Sequence, residues 1–368
     1  MLASLHAERF RNLEPLDFEP GAGRHLLFGG NGAGKTSLLE AVYVVATTRS
    51  FRTPRLAECI RHGEERFMLA AEIEDVARAA LVVGYGPQGR ERTVNGELVA
   101  LAEHLEVLPV VPWTGADVEI VSGPPARRRR FLDRGVVSLR PGALATLRRY
   151  RDALAEKREL LALQGRGGRD DATLCTWNRV LAETAVEVRH RRATYTGELK
   201  RALSAVLAEA SLPFPAIELG YRPSPASGGT AAGGEAAAPE EATALAQRLD
   251  RAAPAERRRG IPLLGPHRDE LAITWGGRPA DEVTSAGERK ALSLALVAAH
   301  GRVLRAAGRE PLYLLDDLDA ELAPDTLAAL WTVFGDARQL LATSNRPAVW
   351  QALPLDHGSH LRGGVLKA

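Results

Sequence analysis

The segment Gly29-Gly30-Asn31-Gly32-Ala33-Gly34-Lys35-Thr36 fits the pattern GxxxxGKT, and near the other end of the chain Leu312-Tyr313-Leu314-Leu315-Asp316-Asp317 reads as a strand ending in paired carboxylates. Together these two segments constrain the fold more than anything else in the sequence. A phosphate loop needs a strand before it and a helix after it, and the acid that works with it stands at the end of a parallel strand in the same sheet. One sheet must therefore be woven from both ends of the chain, with the middle inserted into it.

Each residue type in the loop answers a physical need. Glycines let successive backbone N–H groups close round phosphate oxygens without a Cβ in the way, and the start of the following helix favours negative charge. Gly29, Gly30, Asn31, Gly32, Ala33 and Gly34 form this cradle. Lys35 is placed to neutralise the β- and γ-phosphates of a nucleoside triphosphate, Thr36 to ligate Mg²⁺, and Ser37 to touch the α-phosphate. At the far end, four apolar residues deliver Asp316 to the sheet edge, where it would hold Mg²⁺ through water, and Asp317 is placed to orient an attacking water. Thr343-Ser344-Asn345 closes the next strand. It suits either a γ-phosphate sensor or a plain polar end to a strand.

Shortly before the acid run comes Ser285-Ala286-Gly287-Glu288-Arg289-Lys290. Ser285 can cap a helix, and the small residues leave N–H groups open toward an anion at Ser285 and Gly287. The same letters also spell an ordinary Ser-x-x-Glu capping box. The order phosphate loop, Ser-x-Gly-Glu, acid run resembles ABC-type ATPases, in which this helix end faces the γ-phosphate held by a second subunit. That resemblance implies an ATP-dependent homodimer with two composite sites related by a two-fold axis. Asp317 stands where ABC enzymes commonly carry Glu, which implies slow hydrolysis.

Periodicity fills in the elements. Strands are expected at residues 2–8, 24–28, 67–73, 79–85 and 91–94, and a helix from Thr36 that buries one face. From about residue 126 to 250 the chain turns to long Leu- and Ala-rich helical stretches, 144–163 and 173–210, broken by glycines at 165–168. Residues 223–239 are rich in Pro, Ser, Gly and Ala and read as a flexible insertion. Strands near 271–275, at 312–315 and at 339–343, with helices at 285–306 and 324–333, return the chain to an α/β pattern. The expected organisation is an α/β ABC-ATPase head, a mixed sheet with flanking helices, assigned to 1–125 and 258–368, with an inserted α-helical arm at 126–257.

The 368 residues are 45% hydrophobic, enough for a buried core. No run approaches the roughly 18 apolar residues of a membrane span, so a cytoplasmic protein without a membrane partner is expected. Cys59 and Cys175 lack the neighbours of a zinc site or a disulfide framework. The net charge of +2 conceals a basic stretch: between Arg127 and Arg158 there are 11 basic against 3 acidic side chains. Arg127, Arg128, Arg129, Arg130, Arg148 and Arg149 are candidates for gripping nucleic-acid phosphates, and solvated helix faces or bridges to nearby acids explain such runs equally well. Arg257-Arg258-Arg259 carries the same ambiguity. Aromatic residues are too sparse there for base stacking.

Further segments narrow the resemblance to the RecF family, over essentially the whole length. They are Arg9-Phe10-Arg11-Asn12-Leu13, the loop continuing as Ser37-Leu38-Leu39-Glu40-Ala41, Gly123-Pro124-Pro125-Ala126-Arg127-Arg128-Arg129-Arg130-Phe131-Leu132-Asp133, and Gly265-Pro266-His267-Arg268-Asp269-Glu270. The resemblance implies an ATP-dependent clamp on duplex and gapped DNA that binds without reading sequence. It implies weak, DNA-stimulated ATP hydrolysis with Mg²⁺, and work with RecR and RecO to load RecA at gaps. Departures are local. Ala320-Glu321-Leu322-Ala323 replaces the usual Ser-Glu-Leu-Asp, and Trp113-Thr114-Gly115-Ala116-Asp117 replaces Phe-Ser-Pro-Glu-Asp, with Asp117 a candidate to report on the nucleotide. An energising subunit of a membrane transporter and a scaffold holding ATP as a structural ligand are the competing readings. The long Arg-rich insertion and the absence of a Q-loop glutamine argue against the transporter.

Overall fold

The computed structural model describes residues 1–75, 78–164, 171–224, 238–320 and 322–367. The expected break at 165–168, Glu321 and most of the expected insertion at 223–239 lie outside them. The chain divides into two compact units: Met1–Val118 with Ala202–Phe214 and Thr284–Ala368, and Glu119–Arg201 with Pro215–Val283.

The first unit is built on two six-stranded sheets. One is antiparallel, in the order Leu16–Phe18, Leu2–Glu8, Phe67–Ile73, Ala79–Gly86, Gly89–Val94, Glu97–Leu98. Its strands alternate as a one-faced sheet should: Phe67, Leu69, Ala71 and Ile73 point to the core while Met68 and Glu72 do not. The other runs Val365–Lys367, His357–Arg362, Gly23–Phe28, Gln339–Ser344, Leu312–Leu315, Val110–Trp113, and all its pairs are parallel except the terminal hairpin. Leu312–Leu315 and Gln339–Ser344 are buried at every position, as expected of parallel strands covered on both faces.

Several short strands escape the sequence pattern, Val110–Trp113 and His357–Arg362 of the parallel sheet among them. Val110–Trp113 contains Pro112, which argues against a central strand, and it occupies the sheet's edge, where the missing N–H costs no ladder bond. His357–Arg362 is polar and half exposed because it lies near the opposite edge.

The helix Lys35–Thr47 was expected to bury one face and instead is buried nearly all round. Leu38, Leu39, Val42 and Val45 share one core with Leu69 and Val83 of the antiparallel sheet and Leu314 and Leu341 of the parallel one. An element covered by a sheet on each side has no polar face to show in its sequence. Gln339 ties the two sheets together. Its side-chain amide, 2% exposed, donates to the carbonyls of Leu2 at 2.8 Å and Gly21 at 2.6 Å and accepts from the Leu2 N–H at 2.8 Å.

The second unit differs from expectation in extent and content. It begins at Glu119 rather than 126 and runs to Val283 rather than 257, and residues 202–214 belong to the first unit. It is not purely helical. The strand expected near 271–275 is Glu270–Trp275, and it belongs here rather than to the head sheet, paired antiparallel with Ile217–Arg222 and Arg278–Pro279. A six-residue strand with alternating burial carries no mark of which sheet it joins, so its placement had to come from pairing. The helices Pro125–Leu139, Ala143–Gln164, Asp171–Ala210 and Ala238–Arg259 surround a core of Leu147, Leu154, Leu181, Val188, Leu245 and Leu249. At 40 residues, Asp171–Ala210 is about 60 Å long. Lys157 and Glu256 form a wholly buried ion pair at 2.7 Å within this unit.

Replacing Gln339 by Leu keeps the volume and strips the partners from three backbone groups. Urea unfolding of Gln339→Leu should show a stability loss of about 2–4 kcal/mol. A loss under about 0.5 kcal/mol would mean that the amide does not join the sheets.

Candidate nucleotide site

Register decides where the site forms. Phe28 pairs with Ser344, Leu315 with Ala342, and Leu315 with Trp113, so four parallel strands end at one edge of the sheet. The segments that follow them, Gly29 to Thr36, Asn345, Asp316-Asp317 and Thr114, emerge side by side, as at the carboxyl edge of other open α/β sheets.

Two glycines make the loop possible. A Cβ at Gly29 would lie 2.3 Å from the Leu361 carbonyl oxygen. Gly34 caps the helix at φ 109°, a conformation that side chains rarely take, with the Leu13 side chain 3.0 Å from where a Cβ would stand. Gly30 and Gly32 face open space. The Lys35 ammonium donates to the carbonyls of Gly29 at 2.9 Å and Gly30 at 3.1 Å, which fixes it against the loop.

The acid run meets the loop through hydroxyls. Asp316 accepts from the Thr36 hydroxyl at 2.9 Å and from the Thr343 hydroxyl at 2.8 Å, both on the same carboxylate oxygen. Burial pushes the Asp316 carboxyl above the usual aspartate range, and the hydroxyls of Thr343 and Thr36 pull it back. Thr343 also accepts from the Asp317 N–H at 2.8 Å. Its hydroxyl proton points to Asp316 in this arrangement, so it holds the acid pair in place. Asp317 is exposed and has φ 48°, the left-handed region that a residue with a Cβ rarely enters, so the turn turns its carboxylate out of the sheet edge at a cost in backbone strain. Asn345 reaches the loop by donating to Asn31 at 3.2 Å.

Asn12 and Glu40 have parts here that residue spacing alone did not give. The Asn12 amide donates to the Gly32 carbonyl at 2.8 Å and accepts from the Ser37 hydroxyl at 2.7 Å, so it clamps the loop to its helix. Ser37 is thereby engaged, and buried. Glu40, wholly buried one turn further along, accepts from Arg11 at 2.9 and 2.7 Å, from Ser50 at 2.5 Å and from Arg52 at 3.2 Å. Cys59 lies beside it, and burial first, then the Glu40 charge, pushes its thiol up to about 12, which makes it inert. The turn at Gly363-Gly364 closes over the loop, with the Gly364 N–H donating to the Ala33 carbonyl at 2.9 Å.

Ser285 stands at the start of the helix Ala286–Ala306 in a complete capping box. Its N–H donates to the Glu288 carboxylate at 2.7 Å, and its hydroxyl accepts from the Glu288 N–H at 3.3 Å. Ser285 and Ala286 are exposed, and the Cβ position of Gly287 faces open space. Among the described residues no hydrogen bond joins Ser285 or Gly287 to the phosphate loop. One turn further on, Lys290 is buried, donates to the carbonyls of Asp317 at 3.3 Å and Ala320, and lies 5.1 Å from the centre of the Trp113 ring.

Asp117 accepts from the N–H of Thr114 at 2.9 Å and its hydroxyl at 3.1 Å, contacts that shape the turn after Val110–Trp113. The arginine run does not offer four free charges. Arg127 pairs with Glu119, Arg128 with Glu270 at 2.5 Å, and Arg129 donates to the Asp269 carbonyl at 3.0 Å. Arg130, Arg148 and Arg149 are exposed. Helix geometry sends alternate members of a four-arginine run to different sides, so only part of it can meet one partner.

If the Asn12 clamp preorganises the loop, Asn12→Ala should weaken binding of a nucleoside triphosphate about five- to tenfold, the worth of roughly one hydrogen bond. Isothermal titration calorimetry checks this, and an unchanged affinity would show that the glycines hold the loop unaided.

The comparisons with known proteins agree with this geometry. The family model described as "RecF/RecN/SMC N terminal domain" matches residues 1–353. The DNA replication and repair protein RecF of Anaeromyxobacter sp. (strain Fw109-5) is 38% identical over 99% of this chain and 98% of its own length. That of Frankia alni is 35% identical over 93% of each. A solved structure of the recombination mediator protein RecF-ATPrS in the RecFOR pathway superimposes with a TM-score of 0.89 at 25% identity, covering 100% of this chain and 97% of that one. An Smc head bound to the C-winged helix domain of ScpA matches in fold alone, with a TM-score of 0.57 and 16% identity over 100% of this chain and 96% of the other. The fold is thus the ABC-ATPase head shared by RecF and SMC proteins, and the chain belongs to the RecF family.

Proposed function

We propose that this protein is an ATP-dependent DNA clamp of the recombination-mediator type. In this reading ATP closes a homodimer round duplex DNA beside single-strand gaps, and the clamp works with RecR and RecO in loading RecA. The relatives' description as DNA replication and repair proteins, and the RecF-ATPrS and RecF-ATP structures in the RecFOR pathway, support the assignment.

The observation that carries it is the exposed, capped start of the Ala286–Ala306 helix. Within its own chain Ser285 serves only as a cap, while Gly287 leaves the helix start open for close approach. A second copy across a two-fold axis would bring Ser285 and Gly287 to the γ-phosphate and complete the site. ATP can drive dimerisation only by binding the dimer better than the monomer, and this helix start supplies that difference.

In that site the backbone of Gly29 to Gly34 cradles the phosphates, Lys35 neutralises them and Asp317 orients the attacking water. The Thr36 hydroxyl and Asp316 carboxylate are adjacent hard oxygens at the sheet edge and fit Mg²⁺. Bound there, the ion would offset charge on the β- and γ-phosphates. The aspartate side chain is one methylene shorter than glutamate and is held on a strained turn, which suits weak hydrolysis that resets the clamp rather than rapid turnover. Exposed arginines, Arg130, Arg148 and Arg149 among them, grip DNA phosphates without reading sequence.

Lys35→Met should abolish ATP binding in calorimetry. Ser285→Arg should still bind ATP, at the affinity of the monomer, and abolish the ATP-driven dimer in light scattering. ATP-driven Ser285→Arg dimers of wild-type strength would sink the composite site. Fluorescence anisotropy with a labelled gapped duplex should show at least about tenfold tighter binding with ATP and Mg²⁺ than without. Equal, weak binding in both conditions would favour a protein scaffold in which ATP is a structural ligand.

A further inference from the structure

The first arginine run and the residues just after the second, far apart in sequence, meet at one cleft within the second unit. A cleft of about 650 Å³ is lined by Pro124, Pro125 and Ala126 at the start of the helix Pro125–Leu139, by Arg129 and Arg158, by Gly260, Ile261 and Pro262 directly after Arg257-Arg258-Arg259, and by His267, Arg268 and Glu270. Both motifs that set this family apart from other ABC proteins, Gly123 to Asp133 and Gly265 to Glu270, therefore contribute to one concavity distinct from the nucleotide site.

We propose that this cleft is a binding site for a backbone phosphate of DNA, held by Arg158 and Arg268 with Arg129 at its base. The inference rests on the DNA-clamp reading and adds the place of contact.

The charge balance of the cleft favours an anion. Its one carboxylate, Glu270, accepts from Arg128 at 2.5 Å and its charge also reaches Arg129, which leaves Arg158 and Arg268 without a carboxylate bonded to them in the lining. Arg158 is exposed and makes no hydrogen bond or ion pair among the described residues. Arg268 is exposed and spends Nε and one Nη on the Pro262 carbonyl, at 3.3 and 2.9 Å, which fixes its plane and leaves its other N–H groups outward. Arg129 uses one N–H on the Asp269 carbonyl. Burial, with the charges of Arg158 and Arg268 adding to it, pulls His267 down to about 4, so both guanidinium fields reach one imidazole that stays neutral near pH 7. The start of a 15-residue helix adds its positive end to the same concavity.

The chemistry selects phosphate over a base or an apolar side chain. Planar guanidinium groups match phosphate oxygens bidentately. The lining has no Phe, Tyr or Trp for a base to stack on, and Ile261 is its one large aliphatic residue. A contact of this kind is blind to sequence and sensitive to salt.

The test uses the full chain with ATP, Mg²⁺ and a labelled gapped duplex, titrated by anisotropy at several salt concentrations. Arg158→Glu/Arg268→Glu should weaken binding at least about tenfold and make the log–log salt slope shallower by about one. Arg55→Glu/Arg78→Glu, an equal charge change at exposed positions of the other unit, serves as the comparison. Wild-type affinity in the cleft variant, or a loss no larger than in the comparison, overturns the proposal. So does a polyglutamate peptide that binds the wild type and not the cleft variant while DNA binding is unchanged, because the partner would then be an acidic protein. If Arg268→Glu lowers the thermal midpoint, Arg158→Glu alone decides, since that side chain has no bond to lose. A wild type that binds no DNA with ATP would remove the clamp reading itself, and the cleft proposal with it.

Discussion

The hydrogen bond from Thr36 to Asp316 joins residues 280 positions apart, and the molecule is organised around making it possible. It requires the strand before the phosphate loop and the strand before the acid pair to run parallel in one sheet, with Gln339–Ser344 between them in fixed register. A shift of one residue in that central strand would turn Thr343 away from Asp316 and put its neighbours on the wrong face. The residues of the second unit, Glu119–Arg201 and Pro215–Val283, therefore have to leave and return without disturbing three strands. Placing the insertion as a unit with its own core, around Leu147, Leu181 and Leu245, meets that requirement.

The phosphate loop is held less by its glycines than by what surrounds them. Asn12 from the first strand's end, Glu40 on the loop's own helix and Gly364 from the terminal hairpin each fix a different side. Glu40 is costly to bury, and the cost is offset because Arg11, Ser50 and Arg52 all donate to it. The same contacts draw the segment after the helix back against it, so the loop meets a phosphate in a shape already set. Preorganisation of this kind saves the ordering entropy that a free loop would lose on binding.

Much of this was legible. Strands 2–8, 67–73 and 312–315 stand at their expected ends because alternation or unbroken apolarity marks them, and the phosphate loop and the acid run contain residues that meet at the sheet edge. The failures share a cause: they depend on partners. Pro112 hid an edge strand, a strand with ordinary alternation was given to the wrong sheet, and a polar residue inside a helix, Glu40, gave no sign of being a buried hub. For Arg127, Arg128 and Arg129 the sequence leaves a phosphate-gripping patch and bridges to acids equally open, because their partners, Glu119, Glu270 and the Asp269 carbonyl, are fixed only by the fold. Composition counts charges. It does not count which of them are already spent.

Lys290 supplies the last link between the two ends of the catalytic edge. It lies on the buried side of the helix whose exposed start carries Ser285 and Gly287, and its ammonium holds the carbonyls of Asp317 and Ala320. Those carbonyl dipoles and the face of Trp113 are among the groups that offset its charge. Trp113 is in turn fixed by donating to Ser293 at 3.0 Å, one turn along the same helix. The helix start and the strained acid turn are thus one mechanical element: whatever seats Ser285 also sets the peptide of Asp317.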